Sequence, residues 1–181
     1  MMQENHCSFR EFLIIEVLNN KKFSWLKVIR KVLRKRQCHY LFWFRAAYLL
    51  YNSNNTLKRS IAKRINKRLI TKHNIEIMLG ANIDIGLQLL HMTGIVISDR
   101  AKIGKNFYIR QNSTIGFSGF SGEGEIVIGD NVTVGTNSCI IANNLKIGDN
   151  VNIGAMTFIN KDIPSNSTVI NKKDITFLPN R

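Results

Sequence analysis

The chain has 181 residues, 44% of them hydrophobic and only two of them proline, a composition that is neither disordered nor low-complexity. Its formal net charge is +14, from 26 Lys+Arg against 12 Asp+Glu, and the excess is confined to one part. Residues 1–75 hold 17 Lys+Arg and three acids (Glu4, Glu11, Glu16), whereas residues 76–181 hold nine of each and are neutral. Three cysteines (Cys7, Cys38, Cys139) form no C-x-x-C pair, which disfavours a disulfide scaffold or a zinc ribbon and points to a reducing, cytoplasmic setting.

In chain order, the apolar run Phe12–Leu18 is broken by Glu16 and lacks the small-residue cleavage site of a secretory signal. From Ser24, the apolar positions Trp25, Leu26, Val28, Ile29, Val32 and Leu33 predict an amphipathic helix, with Lys27, Arg30, Lys31, Arg34 and Lys35 mostly opposite. The aromatic stretch Tyr40–Tyr51 is 12 residues long and contains Arg45. It is too short for a transmembrane helix, which takes roughly 20 residues, and reads as the buried middle of a small bundle. Asn52–Asn55 is a polar break, after which Thr56 is the expected cap of a second basic helix carrying Leu57, Ile61, Ile65 and Leu69. Three readings of the basic faces stay open: a solvated face, attachment to an anionic membrane surface, and binding of nucleic-acid phosphates. No nucleic-acid motif is present, so no such partner is expected.

The neutral part is a repeat of period six. Apolar residues recur at Ile77, Ile83, Leu89 and Ile95; after a two-residue shift at Ile97, Ile103, Ile109 and Ile115; then at Ile128, Val134 and Ile140, and at Ile147, Ile153 and Ile159. Glycine follows the apolar residue six times, at Gly104, Gly116, Gly129, Gly135, Gly148 and Gly154. Period six fits neither a helix nor a flat strand; it fits a parallel β-helix in which three hexads close one triangular turn. About 90 residues at 18 per coil make roughly five coils. The expected organisation is a basic α-helical region over 1–74, a β-helix over 75–170 and a tail over 171–181. Between Ile115 and Ile128 the phase is broken by a Gly-rich stretch, Gly116 to Gly124, which reads as a loop thrown out from a coil.

Of four histidines only His91 lies in the repeat, within Leu90-His91-Met92-Thr93-Gly94-Ile95-Val96-Ile97. A lone imidazole on an Ile/Gly/Asn scaffold is either a structural histidine or a general base. There is no metal cluster and no nucleophile elbow, so neither metal ligation nor a Ser-His-Asp triad is expected.

The His-x-Thr-Gly-Ile-Val-Ile segment resembles the serine acetyltransferase branch of the left-handed β-helix acyltransferases. So do Gln111-Asn112-Ser113-Thr114-Ile115-Gly116, the Gly-rich loop, and the closing Asn160-Lys161-Asp162-Ile163-Pro164-Ser165. The resemblance implies a left-handed helix and an acetyl-CoA-dependent O-acetyltransferase without a metal. His91 would take the acceptor proton, assisted by a carboxylate 15 residues earlier, Glu76. It further implies contacts to acetyl-CoA from Gly116, Ser118, Gly119, Thr136, Ala155 and Lys161. It implies as well a cleft shared between subunits of a homotrimer, with the helices as a way for two trimers to pair. Two departures point away from serine. Leu90 stands where the branch carries Asp, and Gly122-Glu123-Gly124-Glu125 where it carries Arg-His. They resemble capsule- and exopolysaccharide-modifying members instead, with Asn112, Glu123 and Glu125 to grip a sugar. Serine transfer and a non-catalytic scaffold stand as alternatives. The basic helices suit a cytoplasmic enzyme working at the inner face of a membrane.

Overall fold

The computed structural model describes residues 7–118 and 124–172. The chain opens with α1 (Phe9–Phe12), closed by a capping box between Ser8 and Glu11, and continues as a π-helical turn over Leu13–Val17. Three helices follow: α2 (Trp25–Arg34), α3 (Arg36–Tyr51) and α4 (Thr56–His73). The cap of α4 is Asn55, not Thr56: the Asn55 side chain accepts from the Lys58 amide at 3.1 Å, and Thr56 is already helical. The apolar stripe of α4 is buried at only one end, where Leu69 is 3% exposed while Leu57 is 68% exposed. No described helix is long and apolar enough to cross a membrane.

From Ile75 onward the chain winds into a left-handed parallel β-helix of short strands, named here by face. The first face stacks β1 (Ile75–Ile77), β4 (Ile95–Ile97), β7 (Thr114–Phe117), β10 (Cys139–Ala142) and β13 (Phe158–Ile159). The second stacks β2 (Asn82–Ile83), β5 (Ala101–Ile103), β8 (Ile126–Ile128) and β11 (Leu145–Ile147), with Ile163 bridged to Ile147. The third stacks β3 (Gln88–Leu90), β6 (Tyr108–Arg110), β9 (Thr133–Val134), β12 (Asn152–Ile153) and β14 (Thr168–Val169). Every ladder is parallel, so each strand bonds to the coils before and after it and never to its sequence neighbour.

All fourteen hexad positions point inward, and register stacks thirteen of them in three columns, with Ile95 set on Ile75 beside the first. Ile77, Ile97, Ile115, Ile140 and Ile159 form the first column. Ile83, Ile103, Ile128 and Ile147 form the second, and Leu89, Ile109, Val134 and Ile153 the third. A fully buried aliphatic side chain contributes about 1.5–3 kcal/mol, so the columns hold the helix together. Corners are held by polar ladders. Asn106, Asn131, Asn150 and Asn166, all in the left-handed region at φ 55–60°, pass side-chain hydrogen bonds from coil to coil at 3.0, 3.1 and 3.0 Å. The glycine after the inward residue answers a close approach: a Cβ on Gly129 would meet Asp149 Oδ1 at 2.2 Å. Gly116 is the exception, since a Cβ there would meet nothing nearer than 3.5 Å.

Helices α3 and α4 share the core of the β-helix, while Leu13, Val17, Leu18, Val28 and Cys38 form a separate small cluster. Tyr40, Leu41, Phe44, Ala47, Ala62 and Leu69 belong to the same apolar cluster as the coil isoleucines. A buried ion pair ties the two parts. Arg45, 0% exposed, donates from Nε to Glu16 Oε2 at 3.0 Å and from Nη2 to Glu16 Oε1 at 2.6 Å. The same guanidinium donates to the carbonyls of Ile83 and Asp84, both at 2.7 Å, and Glu16 Oε1 accepts from the amides of Gly86 and Leu87 at 3.0 Å. The two charges that interrupt apolar runs in the sequence thus neutralise each other against the first coil.

Candidate functional site

His91 sits just after β3, at the corner between the third and first faces, exposed and with φ 51°. This corner is larger than its counterparts in the later coils along the same edge. Leu89 and Ile97 are eight residues apart, whereas the next coil needs six from Ile109 to Ile115; the two-residue shift in the repeat is spent here. Gly94, at φ 63°, closes the turn by donating its amide to the Asn74 carbonyl at 2.7 Å. A Cβ there would strike Asn112 Oδ1 at 2.4 Å, so the turn depends on glycine.

The corner opens onto a cavity of about 430 Å³ lined by Leu89, Leu90, His91 and Met92 of the coil and by Arg36 and Gln37 of α3. Arg36 anchors this wall: its Nη2 donates to the His73 carbonyl at 2.9 Å and its Nε to His73 Nδ1 at 3.3 Å. Behind it, His73 Nε2 meets His39 Nδ1 at 3.2 Å, and Lys72 Nζ lies 3.3 Å from His39 Nε2. Burial, with the His39, Arg36 and Lys72 charges adding to it, pushes the His73 imidazole down from 6.5 to about 4. Burial, then Lys72, also lowers His39. Nothing in the spacing of Arg36 and Gln37 marks them as neighbours of His91, because α3 meets the coil only through tertiary packing.

The remaining predicted residues fall into three groups. His91, Asn112, Thr136 and Ala155 lie on one edge, stacked by backbone bonds from the Asn112 amide to Thr93, from Asn137 to Gln111 and from Met156 to Thr136. Gly116 and Ser118 lie at the end of β7 on the adjoining face, where the Ser118 hydroxyl donates to Asn143 Oδ1 at 2.7 Å; Lys161 is exposed beyond β13. The acids are elsewhere. Glu76, in β1, lines a second cavity of about 300 Å³ with Lys63, Lys67 and Asp99, and no hydrogen bond or ion pair joins it to His91. Glu125 lies before β8, at the corner between the first and second faces, in an ion pair with Lys102. Within one subunit neither Glu76 nor Glu125 is brought to the His91 cavity. Gly119 and Glu123 lie outside the described residues. No group of three or more His, Cys, Asp or Glu converges among the described residues.

A left-handed parallel β-helix preceded by a helical region is a fold this chain shares with serine acetyltransferases of known structure. Solved structures that resemble it include serine acetyltransferases. The soybean enzyme complexed with serine superposes with a TM-score of 0.76 at 25% identity, covering 91% of this chain and 68% of that one. The Neisseria gonorrhoeae enzyme in complex with serine gives 0.71 at 26%, over 90% and 64%. Isoform 3 from Entamoeba histolytica, in complex with cysteine, gives 0.74 at 24%, over 96% of this chain and 60% of that one. The chain therefore spans about three-fifths of the length of the Entamoeba protein. No family model matches the sequence, and none of the curated proteins matches it. The likeness supports the serine acetyltransferase-like branch and lends no support to the polysaccharide-modifying character expected from Leu90 and Glu123–Glu125.

Proposed function

We propose that the chain is an acetyl-CoA-dependent O-acetyltransferase in which His91 is the general base. The observation that carries this reading is a solvent-facing imidazole on an enlarged corner, opening onto a cavity, in a fold whose neighbours are serine acetyltransferases. An acceptor hydroxyl gives its proton to the His91 imidazole while its oxygen attacks the thioester carbonyl. The C–S bond then breaks, and the imidazolium returns the proton to the CoA thiolate. The edge carrying Thr136 and Ala155, with Gly116 beside it, gives the pantetheine a path to the imidazole; the opening at Gly116 is one that the coil itself does not need.

The better-supported acceptor is L-serine or a similarly small hydroxy acid. In place of the Arg-His pair, Arg36 faces the cavity with guanidinium donors to spare beyond its two bonds to His73, and suits a carboxylate. A second reading, a sugar hydroxyl, is favoured by Leu90, because no carboxylate adjoins His91 to hold an ammonium group. A homotrimer follows from the same reading. Glu76 and Glu125 lie away from His91 in one subunit, and Met156 and Phe158, 55% and 53% exposed, offer an apolar patch for a neighbour. The test is thioester cleavage and acetyl-product mass spectrometry with L-serine, small hydroxy acids and a sugar panel. His91→Ala is expected to lower kcat by about 10²–10⁴-fold while leaving the assembly unchanged. Wild-type turnover by the variant would sink the catalytic assignment, and acetylated sugar without acetylserine would reverse the acceptors.

A further inference from the structure

Helix α2 turns the wrong way for a core helix. Of its six apolar residues only Val28 is buried; Trp25, Leu26, Ile29 and Leu33 are 55%, 79%, 53% and 79% exposed. At 100° per residue these four span one continuous third of the helix, while Val28 and Val32 pack behind them with Leu13, Val17 and Cys38. The exposed apolar strip is bordered by exposed Lys22, Lys27, Arg30, Arg34 and Lys35. No acid occurs anywhere between Glu16 and Glu76, a span holding 16 Lys+Arg (17 in residues 1–75, less Arg10).

We propose that α2 is an interfacial helix that docks this protein on an anionic lipid surface, with Trp25, Leu26, Ile29 and Leu33 inserted and the flanking cations on the headgroups. A four-residue apolar strip edged by Lys and Arg is what such a helix requires. The charge argues against the other occupants. A second copy would bring one acid-free basic face against another, and a nucleic acid would satisfy the cations while leaving the aliphatic strip in water. The proposal does not rest on the role of His91, yet it bears on it. Arg36 and Gln37, two walls of the His91 cavity, follow the end of α2 within three residues, so docking brings the cavity mouth to the lipid surface.

The experiment is co-sedimentation of the full chain with phosphatidylcholine vesicles, with and without one-third phosphatidylglycerol, at low and high salt. Wild type is expected to pellet with the anionic vesicles and to be released by salt. Leu26→Asp/Leu33→Asp is expected to weaken partitioning by about 100-fold with an unchanged circular dichroism spectrum and melting temperature. Lys27→Gln/Arg30→Gln is expected to weaken it at low salt only. Failure of wild type to bind anionic vesicles, or equal binding by Leu26→Asp/Leu33→Asp, overturns the proposal. So does tighter binding to a duplex DNA or RNA probe than to vesicles. A concentration-dependent association of copies that Leu26→Asp/Leu33→Asp abolishes, with vesicle binding intact, would assign the strip to a second copy instead.

Discussion

The helical region and the β-helix solve the same problem, hiding apolar surface, by opposite means. The coils do it by repetition: aliphatic residues at a recurring spacing, stacked four or five deep, so that no single contact is special. The helices do it by singular contacts, above all the Glu16–Arg45 pair, in which one guanidinium makes two bonds to a carboxylate and two to the first coil. Redundancy makes a structure tolerant and readable; singularity makes it fragile and hard to foresee.

Four measurements sharpen that contrast, from the largest expected effect to the smallest. Glu16→Ala leaves a buried guanidinium unpaired, and denaturant unfolding is expected to show a loss of about 3–5 kcal/mol; Glu16→Leu/Arg45→Met removes the unpaired charge but strands the backbone groups of Ile83–Leu87, and should recover only part of it. Equal loss in the single and double variants would show that packing, not charge, holds the junction. Ile109→Ala, between Leu89 and Val134 in the third column, is expected to cost about 3 kcal/mol and to leave the melting transition single.

The third measurement is a pH titration of stability. Folded His73 stays neutral down to about pH 4, while an unfolded imidazole takes up its proton near 6.5. As pH falls from 6.5 towards 4 the unfolded chain therefore binds the extra proton, and stability is expected to drop by about 2 kcal/mol. His73→Gln should flatten that slope, whereas an unchanged slope would move its origin elsewhere. The smallest effect is Asn131→Ala, which removes two of the three exposed hydrogen bonds of the corner ladder and sets alanine at φ 56°; chemical denaturation should register about 1 kcal/mol. A loss as large as that of Glu16→Ala would contradict the redundancy of the coils.

The same contrast explains what the sequence revealed. All fourteen hexad residues and the number of coils were legible, because an inward position in one coil is inward in all. The two-residue slip between Ile95 and Ile97 was visible too, but only the register of the coils ties it to the His91 corner. Arg36 and Gln37 were not legible, since they reach the cavity by helix packing. Glu16 and Arg45 read only as interruptions, because two charges 29 residues apart carry no periodic signal. The apolar face of α2 was legible as a face, but its period cannot say which side turns inward. Glu76 lies 15 residues before His91, and 15 falls short of the 20 that separate β1 from β4 at Ile75 and Ile95; the spacing ends on another face.

The ring of bonds around Arg45 also closes one end of the coil stack. A β-helix has two open ends, and the first coil would otherwise present carbonyls and amides at Ile83–Leu87 as a template for another coil, of this chain or of another. The guanidinium occupies those carbonyls and the Glu16 carboxylate those amides. The buried pair is therefore a terminator: it closes the first coil against end-to-end growth of the stack.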